Sequence, residues 1–237
     1  MTWPQDWQTN VLFLLRWGHL LAGITWIGLL YFFNLVNVNF MKELDAAVKG
    51  KVVPNLMPKA LWWFRWGAVF TVLFGFLYYM ILLGTEKISG KIVVFLIAWT
   101  VAWLLVAALL RLSVAGGPLK DGRVLAVVIA VLVVVVAWVS AASMRQGGSN
   151  RTIAIAIGGG LGYVMFMNVW MIIWPLQRKI IAATKATAET GAPAPADMPK
   201  WARRAFLASR TNAWLSVPML FFMGAASHFP IFGTVPQ

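Results

Sequence analysis

Residues 124–139 read VLAVVIAVLVVVVAWV, and no charged residue interrupts the chain between Arg123 and Arg145. A helix needs roughly 20 apolar residues to cross the hydrocarbon of a bilayer, which is about the length of this uncharged stretch. The two-residue alternation of membrane β-barrel strands is absent. The stretch therefore predicts a transmembrane helix that can face lipid all round, lies at the periphery of a bundle and carries no chemistry.

Six apolar segments of this kind occur along the chain, at about 9–37, 59–84, 91–112, 123–144, 152–175 and 207–229. Hydrophobic residues make up 61% of the 237 and charged residues only 11%, whereas soluble domains carry about 25% charged residues. We therefore expect an all-α, polytopic membrane helix bundle with about six transmembrane helices. The whole chain, 1–237, is predicted to form one integral membrane domain. Within it, the Ala-, Pro- and Thr-rich stretch 183–199 is expected to be a cytoplasmic linker.

The net charge of +13, from 20 Lys and Arg against 7 Asp and Glu, lies mostly in the gaps between the apolar segments. The gaps 38–59, 111–123 and 176–204 hold 13 of the basic residues, and the opposite side holds 4. The positive-inside rule then predicts that these gaps are cytoplasmic and that both termini are periplasmic. Basic loops beside an anionic leaflet make membrane lipids the expected partners, and they give no reason to expect nucleic acid.

Ionisable and polar side chains within the first segment form one stripe. At 100° per residue, Arg16, His19, Trp26 and Asn34 share a face, together with small or apolar neighbours, and the stripe is expected to point into the bundle. His19 and His228 are the only histidines, and the chain has no cysteine. Two imidazoles on separate helices could hold a metal or clamp one b-type haem, with Arg16 meeting a propionate. The alternative is that each histidine only hydrogen-bonds a neighbour.

Other intramembrane residues leave similar alternatives open. Arg65 either snorkels to the interface or holds an anionic group, and Asn168 and Asn212 are expected to form interhelical hydrogen bonds. Gly158 and Gly162 predict close helix packing. Deep tryptophans either pack against a planar ligand or serve ordinary helix packing: Trp26, Trp103 and Trp170. All seven acidic residues lie in tails or loops, which disfavours a carboxylate-based proton pump and a hydrolase with paired acids.

The segments HLLAGITWIGLLYFFN, residues 19–34, and SRTNAWLSVPMLFFMGAASH, residues 209–228, resemble the membrane domain of the bacterial membrane-bound urate oxidases, or urate hydroxylases. In that family a multi-helix membrane domain is followed by a c-type cytochrome domain that accepts electrons. The resemblance implies a similar fold and a redox-linked setting. The site residues that it implies are His19, Trp26, Asn34, Arg210, Asn212 and His228.

The leading expectation is therefore a multi-pass protein of the bacterial inner membrane that binds b-type haem. With no cysteine for covalent c-type haem, it would pass electrons to a separate partner such as a cytochrome c. The alternative is a non-catalytic accessory subunit of a larger respiratory or photosynthetic membrane complex. A transporter is a third option, weakened by the lack of buried carboxylates and of an internal repeat.

Overall fold

The computed structural model describes residues 6–233, which form six helices joined by short connections and contain no strand. The helices are α1 (Trp7–Glu43), α2 (Ala46–Thr85), α3 (Lys91–Ala115), α4 (Gly122–Met144), α5 (Asn150–Thr190) and α6 (Met198–Ala225). A 3₁₀ turn, Pro118–Lys120, lies between α3 and α4. The predicted all-α membrane bundle is thus confirmed for the described residues.

Five helices, α1 to α5, are long and apolar enough to cross a membrane. Polar residues interrupt the apolar sequence of α6, which is nevertheless 28 residues long. The described part of the chain is thus a multi-pass membrane bundle. The extreme termini, 1–5 and 234–237, lie outside the described residues, and the predicted side of the membrane for each terminus stays a prediction.

Three helices are much longer than a bilayer requires. α1, α2 and α5 contain 37, 40 and 41 residues, or about 60 Å each at 1.5 Å per residue, against about 30 Å of hydrocarbon. The excess lies where α1 joins α2 and α5 approaches α6. We call this end, which also carries the α3–α4 connection, the basic end, and the opposite end the terminal end.

The extra length changes two sequence predictions. Helix α2 begins after the N-cap Asp45 and runs through Pro54 and Pro58, so it starts well before the predicted second segment, 59–84. Helix α5 continues to Thr190, so the connection to α6 is 191–197 and not the predicted linker 183–199. Tertiary packing accounts for both, because the start of α2 lies against the end of α5: a Cβ added at Gly50 would lie 2.8 Å from that of Ala188.

Helix α5 is the centre of the bundle. Of its most apolar window, 67% is buried, against 22–33% for α1 to α4. The predicted close approach is confirmed at Gly158, where an added Cβ would lie 3.2 Å from the Met219 carbonyl oxygen of α6. Gly160 is tighter still, because its added Cβ would lie 1.8 Å from the Trp99 ring, whereas Gly162 has open space.

Helix α4 contacts its chain neighbours, α3, α5 and the 3₁₀ turn, and exposes many valines. Its predicted peripheral position is confirmed.

The terminal end is closed by hydrogen bonds between side chains and helix ends. Glu86, after α2, accepts from the hydroxyls of Ser149 and Thr152, both at 2.6 Å, and from the Ser149 backbone N–H at 3.2 Å. Lys91 donates to the Ser143 carbonyl at the end of α4, at 2.7 Å. Asn150 accepts from the Phe232 backbone N–H at 2.9 Å. These bonds satisfy helix-end groups that would otherwise be unpaired.

Candidate functional site

The polar stripe of α1 faces the bundle from His19 onward. The His19 ring is partly buried, and Trp26, Leu30 and Asn34 are at most 4% exposed. Arg16 is the exception: its side chain is exposed, so the predicted inward orientation is wrong at this position. The stripe therefore brings Asn34, and not Arg16, into the interior of the protein.

Asn34 lies in a π-helical turn of α1, Phe32–Asn37. Its side-chain Nδ2 donates to the Leu30 carbonyl four residues earlier, at 2.9 Å. An amide side chain that takes this bond competes with the helix backbone, and π turns are frequent at functional sites. The same Nδ2 donates to Ser209 Oγ of α6, also at 2.9 Å. This contact joins the two segments that carry the family resemblance.

Two adjoining cavities open beside this turn at the basic end. The larger, about 550 Å³, is lined by Asn34, Leu35, Val38, Asn39, Lys42, Phe206 and Arg210. The smaller, about 170 Å³, lies between α1, α2, α5 and α6, and its polar lining comes from Asn34, Asn37, Gln177 and Ser209. The two cavities share Asn34, Val38 and Phe206. Asn39 and Lys42 are exposed, whereas the other polar lining residues are at least partly buried. We call these partly or fully buried polar residues, namely Asn34, Asn37, Gln177, Ser209 and Arg210, the polar cleft.

The polar cleft holds acceptors without partners and a cation. The Oδ1 atoms of Asn34 and Asn37 are buried and have no hydrogen-bond partner in the described structure. A buried acceptor without a partner costs roughly 1–3 kcal/mol, so each one needs an explanation. The Arg210 guanidinium lies 5.2 Å from the centre of the Phe206 ring. The cleft thus combines asparagine side chains whose acceptors are unpaired, a positive charge and an aromatic ring.

The predicted haem ligand His19 lies in the terminal half of α1, against α2. Its Nδ1–H donates to the Thr71 carbonyl at 2.8 Å, which leaves Nε2 as the free ring nitrogen. Gly75 makes room for the ring, because an added Cβ would lie 2.8 Å from Nδ1. Metal-binding histidines are commonly oriented by such a bond from the second ring nitrogen to a carbonyl. His19 therefore fits the role of an axial haem ligand.

His228 has different neighbours. It lies in the turn after α6, and its side chain is exposed. Asn150 of α5 holds this turn by donating to the Phe229 carbonyl at 2.9 Å. His19 is instead 12 residues inside α1, about 18 Å along the axis from the helix start. The structure thus gives the two imidazoles separate surroundings, and their sharing of one haem stays a prediction.

Asn212 lies outside the polar cleft. It is fully buried between α5 and α6, where its Oδ1 accepts from Asn168 Nδ2 at 2.8 Å and its Nδ2 donates to the Met165 carbonyl at 2.9 Å. The predicted interhelical hydrogen bonding of Asn168 and Asn212 is confirmed. Both groups of the Asn212 amide are engaged, so in this structure Asn212 positions the neighbouring turn of α6 that carries Ser209 and Arg210.

The deep tryptophans and Arg65 are all at least partly buried in the bundle. The indole nitrogens of Trp26, Trp103 and Trp170 are buried without a partner in the described residues. The Arg65 guanidinium lies 3.5 Å from the centre of the Trp174 ring and 5.4 Å from that of Trp170. Arg65 thus has cation–π contacts and a hydrogen bond to the Leu61 carbonyl within the bundle, and the binding of an anionic group stays a prediction.

Comparison with known proteins decides the family. A family model described as urate oxidase N-terminal matches residues 5–236. The chain belongs to this family. No curated protein and no solved structure matches the chain.

As a member of the urate oxidase N-terminal family, the chain places two of its predicted site residues, Asn34 and Arg210, on one cavity. Sequence reasoning did not assign Asn37, Gln177 or Ser209 to a site. Asn37 and Ser209 could have been found, because the first lies on the polar stripe and the second opens the quoted segment of α6. No sequence pattern pointed to Gln177, because it follows the fifth apolar segment and lies next to Arg178 and Lys179, which were assigned to a loop.

Proposed function

We propose that this chain is the membrane-embedded, substrate-binding part of a urate-oxidase-type oxidoreductase of the bacterial inner membrane. The polar cleft would bind a flat, anionic purine of the urate class. Electrons would leave through a b-type haem on His19 to a separate acceptor such as a cytochrome c. The observation that carries the proposal is the meeting of Asn34 and Arg210, from two distant family segments, at one cavity, where the buried Oδ1 of Asn34 has no partner in the described residues.

The chemistry of the cleft matches that substrate class. Urate is a planar bicyclic anion with ring N–H donors and carbonyl oxygens. The unpaired Oδ1 atoms of Asn34 and Asn37 would accept from the ring N–H groups, and the Arg210 guanidinium would bind the anionic edge. Phe206 offers an aromatic face at the cavity wall for the flat ring. Buried acceptors discriminate strongly against analogues that lack the matching donor.

His19 fits the electron-transfer part of the proposal. A bound b-type haem would supply a one-electron carrier for the two electrons released when the substrate is oxidised. The bond from Nδ1–H to Thr71 fixes the ring and keeps Nε2 free to ligate iron. His19 and Asn34 are 15 positions apart on one helix face, which is about 22 Å along the axis. Trp26 lies between them on the same face.

The experiment measures urate binding to the purified full chain by calorimetry. Arg210→Gln should weaken binding about tenfold or more, as expected for loss of a charged hydrogen bond. Arg178→Gln, an exposed cation at the same end of the bundle, is the matched control and should leave affinity unchanged. Equal affinities for the wild type and Arg210→Gln would refute the cleft as the substrate site.

An optical spectrum of the same preparation tests the haem. A Soret band that is lost in His19→Ala supports the ligand assignment. Separate replacement of His228 then reports whether it supplies the second ligand. Absence of both iron and a Soret band from the wild-type protein would refute the haem proposal and leave the substrate site to be judged on binding alone.

One observation favours a second candidate, a non-catalytic accessory subunit of a larger membrane complex. The exposed Arg16 lies nine residues inside α1, about 14 Å along the axis, where an outward-facing charge needs a partner or must snorkel. A neighbouring subunit could supply that partner. Reduction of added cytochrome c by urate with the isolated chain would exclude this candidate.

A further inference from the structure

Four basic residues converge at the basic end, and none of them lines either of the two cavities. Arg111 lies near the end of α3, Lys120 in the 3₁₀ turn, and Arg203 and Arg204 in the first two turns of α6. Arg203 Nη2 donates to the Lys120 carbonyl at 2.5 Å. Helices α3 and α6 pack against each other, which places Arg111 near Arg204. We call this group the basic cluster.

No acidic side chain compensates the basic cluster. Within residues 6–233 the ion pairs lie elsewhere, at Lys185–Glu189 and Lys200–Asp197. The nearest acid in sequence, Asp121, caps α4 by accepting from the Arg123 backbone N–H at 2.8 Å. The amino terminus of α6 adds positive potential of its own, because a helix begins at the positive end of its dipole. The cluster is therefore a concentrated, uncompensated positive charge.

Both guanidinium groups also have donors without a hydrogen-bond acceptor in the described residues. The Nε atoms of Arg203 and Arg204 are buried without a partner in the described structure. In residues 6–233 no group accepts a hydrogen bond from Arg204 at all. Both side chains are partly buried, so their positions are restricted by packing. Fixed guanidinium groups with free donors are suited to bidentate binding of a phosphate.

The surroundings indicate a membrane interface. The cluster lies at the end of one membrane-spanning helix, α3, and at the start of α6. Trp201 lies in the same first turns of α6, packs on the core and has the Lys179 ammonium 5.4 Å from the centre of its ring. Tryptophan and basic residues together are typical of the headgroup region of a bilayer.

We propose that the basic cluster binds the phosphate group of an anionic phospholipid, and so holds the α3–α4 connection and the start of α6 at one lipid headgroup. The residues of this site do not belong to the polar cleft. It does not depend on whether the chain oxidises urate.

The test uses the full chain in nanodiscs of phosphatidylcholine alone or mixed with phosphatidylglycerol, with retained lipid counted by native mass spectrometry. The wild type should retain phosphatidylglycerol about tenfold more tightly than phosphatidylcholine. In the double variant Arg203→Gln/Arg204→Gln this preference for phosphatidylglycerol should fall to about twofold. The matched control, Lys185→Gln/Lys200→Gln, removes two exposed, ion-paired cations at the same end and should keep the full preference.

A second variant covers the case in which the double variant fails to fold. Arg111 is exposed, so Arg111→Gln should fold normally and reduce the preference by about threefold. A full preference in Arg111→Gln and in a folded double variant would overturn the proposal. Inorganic phosphate added to neutral discs separates the two sources of phosphate. If it protects the wild type from thermal unfolding as well as phosphatidylglycerol does, the lipid assignment is wrong.

Discussion

The two ends of the bundle use similar polar residues in opposite ways. At the terminal end both carboxylate oxygens of Glu86 accept hydrogen bonds, and the Asn150 side chain is fully engaged with the turn after α6. At the basic end the Oδ1 atoms of Asn34 and Asn37 are buried without a partner. Satisfied polar groups stabilise the fold, whereas unsatisfied ones cost free energy that a ligand can recover. The comparison indicates that the polar residues of the terminal end stabilise the fold and that those of the basic end bind a ligand.

The largest expected effect is at the terminal end. Glu86→Ala leaves the Ser149 and Thr152 hydroxyls without their charged acceptor, and Thr152 is fully buried. We expect the free energy of unfolding to fall by about 3 kcal/mol, measured by denaturant titration in detergent. Urate affinity of the folded fraction should not change. The control is Glu43→Ala, an exposed acid at the basic end. A large stability loss in that control would contradict the division between the two ends.

The next effect combines stability and binding. Asn34→Ala removes the hydrogen bonds to Leu30 and Ser209 that hold the π turn against α6. We expect a loss of about 2 kcal/mol of stability together with at least tenfold weaker urate binding. Ser209→Ala removes one of these hydrogen-bond partners, Ser209 Oγ, and serves as the comparison. If Asn34→Ala weakened binding no more than Ser209→Ala, the Asn34 acceptor would not contact the ligand.

A smaller effect should have opposite signs for stability and binding. Asn37→Leu replaces a buried, unpaired acceptor by an apolar side chain of similar size. Thermal unfolding should then shift upward, equivalent to about 1 kcal/mol, while urate affinity falls. A gain in stability with unchanged affinity would mean that Asn37 is only a packing defect.

The smallest effect concerns the start of α1 at the terminal end. Hydrogen bonds from the Thr9 hydroxyl and the Thr9 and Gln8 backbone N–H groups lower the pKa of Asp6 below its usual value. A lowered pKa in the folded state gives stability that is present above the ordinary pKa of about 4 and is lost as the pH falls through the folded value. The melting temperature of Asp6→Ala should thus lie slightly below wild type at pH 7, and the difference should shrink as the pH falls from about 4 to 2. A constant difference across this range would show that the charge of Asp6 does not matter.

Particular residues show how far the sequence could reach. The apolar stretch 124–139 predicted the peripheral helix α4, and the α1 stripe predicted the burial of Trp26 and Asn34. The predicted inward orientation was wrong at Arg16. A helical wheel shows which residues share a face of the helix, but it does not show how far along that face the neighbouring helices extend. The linker prediction was wrong over 183–190 because composition does not show which helix ends pack together. In the structure Gly50, near the start of α2, packs against Ala188, near the end of α5.

The sequence by itself determined that this is a multi-span helical membrane protein of the urate oxidase N-terminal type, because apolar length and two local motifs depend only on residue order. The tertiary structure decided which polar residues meet. Asn34 and Ser209 are 175 positions apart. Their contact depends on helix packing and on the π turn in which Asn34 lies. The tertiary structure also decided which acceptors have no hydrogen-bond partner, because pairing depends on all the groups that surround each atom.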